Sequence, residues 1–267
     1  MTKLPFGLLT AILAIALTVV RPVEASPKLR QDGTLTVCSY TQFAPISYGD
    51  GQGYEPDLLR AVADRWGVGI SFTHIEQFDG IWLTPSRLGC DVAVSGITPT
   101  QERKDQGAVF SPPTASYAQS LLVRRSDHES GRVVGYKSFV GTNMTIGVVP
   151  GTTGESFAWQ RGAEVGLPRS VFRQHVGEDK LLAALKKGEI DAIARGEIGN
   201  RYQQTLDPSL LTIDFRDFGD RFAMSVDPAN ADLQKQLAEA LAVITRDGKL
   251  GFLQWIDDPA VFSRNIR

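Results

Sequence analysis

The sequence predicts an α/β protein built from two similarly organised halves, and three observations carry that expectation. Short apolar runs alternate with amphipathic stretches along the chain, the pattern of strands and covering helices around a largely parallel sheet. The pattern is stated twice: Gly89-Cys90-Asp91 opens one strand of small apolar residues, and Gly188-Glu189-Ile190-Asp191 opens another. Residues 91–103 then leave such a strand through a hydroxyl-rich turn, and open α/β sheets hold small ligands at the carboxyl ends of their strands. At 267 residues the chain is long enough for two modest lobes or one large domain. Its 28 basic and 30 acidic residues leave a formal charge of −2, without the basic cluster that nucleic acid requires.

Residues 1–25 read separately from the rest. Lys3 precedes a nearly unbroken apolar run from Phe6 to Val20, and Val23-Glu24-Ala25 closes it in small-x-small fashion before Ser26. That is the form of a cleaved secretory signal peptide, and the run is short for a membrane span. The expected product is an exported, soluble, periplasmic protein.

Residues 35–38 form the first expected strand, followed by a loop carrying Phe43 and Pro45. Pro56 opens a helix with Leu58, Leu59, Val62 and Trp66 on one face, and Gly67 ends it. Residues 70–75 are a second strand, and Phe78-Asp79-Gly80-Ile81-Trp82 leads through a short helix to the strand after Asp91. This βαβαβ order implies parallel strands with right-handed crossovers. A strand over residues 119–124 precedes a polar, glycine-containing stretch, 126–143, read as loop. The second half repeats the scheme. A strand at 145–149 turns through Gly151-Thr152-Thr153 into a helix, and residues 170–174 form a strand. A helix with Leu181, Leu182 and Leu185 inward then stops at Gly188, before the strand following Asp191. Strands at 210–213 and 221–226 follow. Asn230 caps a helix with Leu233, Leu237, Leu241 and Ile244 in one stripe; Gly248 ends it, and a terminal helix carries Leu250, Phe252, Leu253 and Trp255.

Two places have the chemistry of a ligand site. Thr98, Thr100 and Arg103 lie within one turn of each other past a strand end, and a guanidinium beside hydroxyls and free N–H groups suits a carboxylate. Gly151-Thr152-Thr153 sits at a strand-to-helix turn, whose exposed N–H groups attract anions, although Thr153 as a plain N-cap explains the same residues. His74, His128 and His175 are scattered, so neither a metal centre nor a catalytic triad is expected. Cys38 falls late in one strand and Cys90 just before another. Parallel neighbours would offset the two sulfurs by several residues, so two free buried thiols are expected.

Taken together, residues 35–37 with Phe43-Ala44-Pro45, Gly53-Tyr54-Glu55-Pro56-Asp57-Leu58, 91–103 with Phe110-Ser111, Gly151-Thr152-Thr153 and the closing helices resemble the family 3 periplasmic solute-binding proteins, the amino-acid receptors of ABC importers. The resemblance covers almost all of residues 26–257. It implies the two-lobed periplasmic-binding-protein fold of type II, each lobe a mixed, mainly parallel sheet flanked by helices. Lobe 1 would comprise 26–116 and 220–267, lobe 2 would comprise 117–219, and the crossings would lie near 115–118 and 219–221. The resemblance assigns Arg103, with Thr98 and the Gly96 backbone, to a ligand carboxylate. It assigns Gly151, Thr152 and Thr153 to the grip from lobe 2, and Phe43 and Phe78 to the walls. The family's acid for the ligand ammonium would fall on Gly196, leaving Glu197 as a substitute if the strand end is bulged. Tyr40 stands where receptors for basic amino acids carry an acid, which disfavours a basic ligand. A monomer that hands a small carboxylate to a membrane permease is implied, with no cofactor. Residues 200–204 and 206–210 also resemble cyclohexadienyl dehydratases, but the position of that enzyme's general acid is Gly199, which argues against catalysis. A ligand-sensing partner of a membrane receptor would use the same scaffold.

Overall fold

The computed structural model describes residues 27–246. The expected signal segment and the expected C-terminal stop and helix (Gly248, Leu250, Phe252, Leu253, Trp255) lie outside the described residues. The chain opens with β1 (Thr34–Tyr40), a ribbon of β2 (Gln42–Phe43) and β3 (Ser47–Tyr48), and α1 (Tyr54–Trp66). β4 (Gly69–Ile75) and α2 (Thr84–Arg87) lead to β5 (Val92–Ile97), α3 (Gln101–Asp105), β6 (Val109–Phe110) and β7 (Ala115–Ser116). The middle of the chain forms β8 (Gln119–Arg124), α4 (Arg125–Glu129), β9 (Ile146–Val148) and α5 (Thr153–Glu164). It continues with β10 (Phe172–Gln174), α6 (Glu178–Lys187), β11 (Ala192–Gly196), α7 (Glu197–Leu206) and β12 (Leu210–Arg216). β13 (Arg221–Val226) and α8 (Ala231–Arg246) complete it.

Two mixed sheets result. The first runs β4-β1-β5-β13-β6, with β7 also on β13; the second runs β10-β9-β11-β8-β12. In each, three strands are parallel (β4, β1, β5 and β10, β9, β11), and the antiparallel partners are β13 in one and β8 in the other. Those two strands lie beside the segments that carry the chain between sheets. The N–H of Tyr117 donates to the Asp220 carbonyl (3.2 Å), binding the two crossings side by side.

The repeat read in the sequence has a shared hydrogen-bond device. Asp91 accepts from the N–H and hydroxyl of Thr36 (2.9 and 2.6 Å), and Asp191 accepts from the N–H of Thr145 (2.9 Å). In return the Asp91 N–H donates to the Thr36 carbonyl and the Asp191 N–H to the Thr145 carbonyl, each at 2.9 Å. Each aspartate thus fixes the register at the start of the two central parallel strands. Arg124 and Arg132 also bind Asp191, at 3.0 and 2.8 Å.

α1 buries Leu58, Leu59 and Val62, and α8 buries Leu233, Leu237 and Leu241; the two helices pack on each other and join the core of the first sheet. Asn230 caps α8, its Oδ1 accepting from the Leu233 N–H (3.0 Å). The stretch 126–143 is not plain loop. It contains most of α4 and a 3-10 turn at Tyr136–Phe139, and Val133, Tyr136 and Phe139 are buried in the core of the second sheet. These three anchors sit three residues apart in a run too short and too polar for that period to reveal them.

The expectation of free thiols is wrong: Cys38 and Cys90 form a disulfide, with Cα atoms 5.9 Å apart. The offset argument placed Cys90 on the line of the following strand. β5 begins only at Val92, and the chain turns at Gly89, which brings Cys90 back against β1. The bond closes a loop with a sequence separation of 52 residues. Cys90→Ser is therefore expected to lower stability by about 2–4 kcal/mol, read by urea unfolding, an effect that reductant reproduces in the wild type and not in the variant.

Candidate functional site

The site lies where the carboxyl ends of both sets of parallel strands face each other. At the end of β5 the backbone leaves the usual range: Ser95 has φ 138° and Gly96 φ 64°. Glu55, fully buried in the first turn of α1, holds this bend, because its Oε2 accepts from the N–H groups of both Ser95 and Gly96 at 2.9 Å. Its Oε1 accepts the Thr114 hydroxyl (2.9 Å) from the crossing segment. Burial raises the Glu55 pKa, and bonds from Gly96, Thr114 and Ser95 oppose that. A Cβ at position 96 would stand 2.7 Å from the Phe43 ring, so glycine is required there by both φ and space.

Past β5, Thr100 caps α3 by accepting the Arg103 N–H (3.3 Å). The short helix turns Arg103 inward until it is 5% exposed. Its guanidinium lies over Trp82 (4.2 Å) and Phe78 (5.5 Å), and donates to the carbonyls of Thr98 (2.8 Å) and Gly151 (2.9 Å). The second bond crosses from one sheet's side to the other. Burial pulls its pKa down to about 10, against attractions from Tyr117, Glu102, Asp79 and Asp220. No carboxylate among the described residues forms an ion pair with it.

On the facing side, the turn between β9 and α5 is capped by Thr152 and not by Thr153: the Thr152 Oγ1 accepts the Glu155 N–H at 3.1 Å. Thr153 is thereby left to meet the opposite wall. Its hydroxyl bonds Tyr117 (2.8 Å) and approaches Thr98 (3.3 Å), and Thr98 and Tyr117 share a further bond of 2.7 Å. Tyr117 stacks on Phe222 at 4.0 Å, and Phe43 meets Phe222 edge-on at 5.7 Å.

Between these walls lies a cavity of about 40 Å³. Of the residues expected from sequence, Phe43, Phe78, Gly96, Thr152 and Thr153 line it. Thr98 stands at its edge through Tyr117 and Thr153. Arg103 and Gly151 border instead the adjoining crevice with Trp82 and Trp159, on the far side of the threonine turn. Glu197 does not enter the site. β11 keeps regular register with β8 as far as Gly196, so the bulge that Glu197 would need is absent, and Glu197 starts α7 with its carboxylate on Arg201 (3.2 Å).

Sequence reasoning missed the cavity's charged pair. Arg195, fully in the interior, is ion-paired with Glu178 from the first turn of α6, and both line the cavity. Arg195 Nε also donates to Asn200 Oδ1 (2.7 Å) and Nη2 to the Gly199 carbonyl (3.2 Å). Inward alternation along β11 could have marked Arg195, but Glu178 looked like an ordinary helix-start acid. A Cβ at position 199 would come within 2.7 Å of the Phe43 ring, so the place of a dehydratase's acid is filled by that aromatic.

Two α/β lobes facing across a cleft, with a buried cation and hydroxyls from both sides, make up the architecture of the periplasmic binding proteins. Residues 35–255 match the family described as bacterial extracellular solute-binding proteins, family 3, and the chain belongs to it. No curated protein matches the sequence. An ancestral arginine-binding protein bound to arginine is similar in fold, at 22% identity and a TM-score of 0.72 over 88% of this chain and 99% of that one. An arginine-bound amino acid ABC transporter substrate-binding protein from Streptococcus pneumoniae Canada MDR_19A aligns at 23% identity and a TM-score of 0.71, over 83% and 92% of the two chains. AncCDT-1, an ancestral amino acid-binding protein and precursor of cyclohexadienyl dehydratase, aligns at 21% identity and 0.72, over 88% and 96%.

Glu55→Ala is expected to destabilise the protein by about 2–5 kcal/mol in chemical denaturation, because it strands two buried N–H groups and a hydroxyl. Glu55→Gln, which keeps an acceptor for the N–H pair, should cost less than half as much.

Proposed function

We propose that this chain is an exported receptor, periplasmic once residues 1–25 are removed. It closes as a monomer on a small non-basic carboxylate, an amino acid or related organic acid, and delivers it to an ABC importer. The lobes of this reading are 26–116 with 220–267, and 117–219. The observation that carries it is Arg103. Burying a guanidinium without a counter-charge is costly, and two neutral carbonyls compensate only part of that cost. A ligand carboxylate supplies the missing charge, and Arg103 already reaches both walls. Thr98, the Gly96 backbone, Gly151, Thr152 and Thr153 complete the grip, with Phe43 and Phe78 along the ligand body.

A basic ligand is disfavoured because Glu178, the acid that lines the cavity, is already paired with Arg195, and drawing it to the ligand would leave that guanidinium bare. Glu197 drops out of the ligand-binding set, since its carboxylate is engaged on α7. A dehydratase would need a general acid in contact with the substrate; position 199 offers none, and the Glu178 carboxylate is engaged by Arg195.

A thermal-shift screen of organic acids and non-basic amino acids should raise the melting temperature with at least one member. Arg103→Ala should then weaken that ligand by about 2–5 kcal/mol in calorimetry. Undiminished affinity in the variant, or stabilisation by arginine and lysine alone, would refute the assignment.

A further inference from the structure

The cavity has a second polar border, apart from the threonine turn. Thr152 and Thr153 stand between the cavity and the crevice of Arg103. Glu178 and Arg195 stand between it and another crevice, which Thr41, Gln42 and Tyr48 also line. These two are the charged residues of the cavity's own wall, and each is committed to the other. With Asn200 and the Gly199 carbonyl as further partners, each of the three Arg195 nitrogens is engaged. Tyr40 belongs to the same wall. It is 1% exposed, and its hydroxyl is buried with no hydrogen-bond partner. Burial pushes that hydroxyl up to about 12, the Arg195 charge opposes the shift and the Asp179 charge adds to it, so the group lies in the field of the pair. Asp179 itself is exposed and borders the outer crevice, not the cavity, where solvent screens it.

A charged group entering at this border finds no free counter-charge. A cation would draw Glu178 away and leave Arg195 bare; an anion would draw Arg195 away and leave Glu178 bare. Either way a buried charge loses its partner, which costs more than the new contact gains. An apolar group leaves the pair whole but keeps the Tyr40 hydroxyl unmatched. A neutral group that both donates and accepts avoids both costs. Its acceptor takes the Tyr40 O–H, and its donor adds to the Glu178 carboxylate, whose ion pair is made through one oxygen and leaves it acceptor capacity.

We infer, resting on the receptor reading above, that Glu178, Arg195 and Tyr40 form a specificity-determining subsite for a neutral carboxamide or hydroxyl group at the end of the ligand away from its carboxylate. The selection applies with or without an amine beside that carboxylate.

Calorimetry on amino acids of similar shape that differ in the distal group tests this: glutamine against glutamate and methionine, asparagine against aspartate and leucine, and tyrosine against phenylalanine. Within a set that binds, the neutral polar member should bind at least ~10-fold more tightly than its companions. Tyr40→Phe removes the unmatched hydroxyl without changing shape, so it should fold, and it should cut the advantage over the apolar companion about 5-fold. Glu178→Gln keeps the shape and frees the Arg195 charge, so it should move the ranking at least ~10-fold toward the acidic member. A pair with only a structural role would weaken all members alike. An acidic or apolar companion that binds as tightly as the neutral polar member overturns the inference. So does an unchanged ranking in Tyr40→Phe or in folded Glu178→Gln; if the latter does not fold, the other two readings decide. Silence from every probe while the wider acid screen succeeds sinks this inference alone; silence from both removes the receptor reading with it.

Discussion

A single buried carboxylate holds the site together. Glu55 binds the two N–H groups at the bend after β5 and the Thr114 hydroxyl of the crossing segment, and so joins the floor of the cavity to the path between lobes. Its neighbour Tyr54 donates to the Thr114 carbonyl (2.9 Å), doubling the tie. Without these bonds the positive φ values of Ser95 and Gly96 would be unsupported strain. That bend aims Thr98 at the opposite lobe and lets α3 swing Arg103 beneath it. The placement of a buried helix start thus decides the geometry of a cleft residue nearly fifty positions later.

Much of this was legible because strands and helices announce themselves by period. The stripe Leu58, Leu59, Val62 and Trp66 and the stop at Gly67 located α1, and the repeated Gly-to-Asp openings located both central strands. The function of those openings was less visible. Asp91 and Asp191 perform the same backbone clamp on Thr36 and Thr145, which a linear reading shows only as recurring letters. Phe43, Phe78, Gly96, Thr152 and Thr153 line the cavity; the family resemblance assigned all five to the ligand, and turn chemistry by itself pointed only to the threonine turn.

What escaped depends on distance in the fold. The pairing of Cys38 with Cys90 follows from a turn before β5, and a residue count along ideal strands cannot represent a turn. Glu178 and Arg195 belong to different elements, and neither is unusual alone; only their meeting inside the cavity gives them meaning. Glu197 failed in the opposite way. It has the right chemistry and sequence position, but regular β8–β11 register carries its side chain onto α7.

The contacts already made across the cleft also determine what a ligand must do. Arg103 bonds the Gly151 carbonyl, and Thr98, Tyr117 and Thr153 share their hydroxyls, so the lobes hold one another without an anion at these contacts. An entering solute gains only the difference between its own bonds and those it displaces. Replacing one neutral hydrogen bond by another yields almost nothing, since each contributes a net 0.5–1.5 kcal/mol, roughly the same on both sides of the exchange. On the reading proposed above a carboxylate would do better, because it sets an anion in place of a neutral acceptor at a guanidinium that is buried and has no ion pair among the described residues. On that reading, a preference for anions would arise from the cleft's own closing contacts as much as from the cation itself.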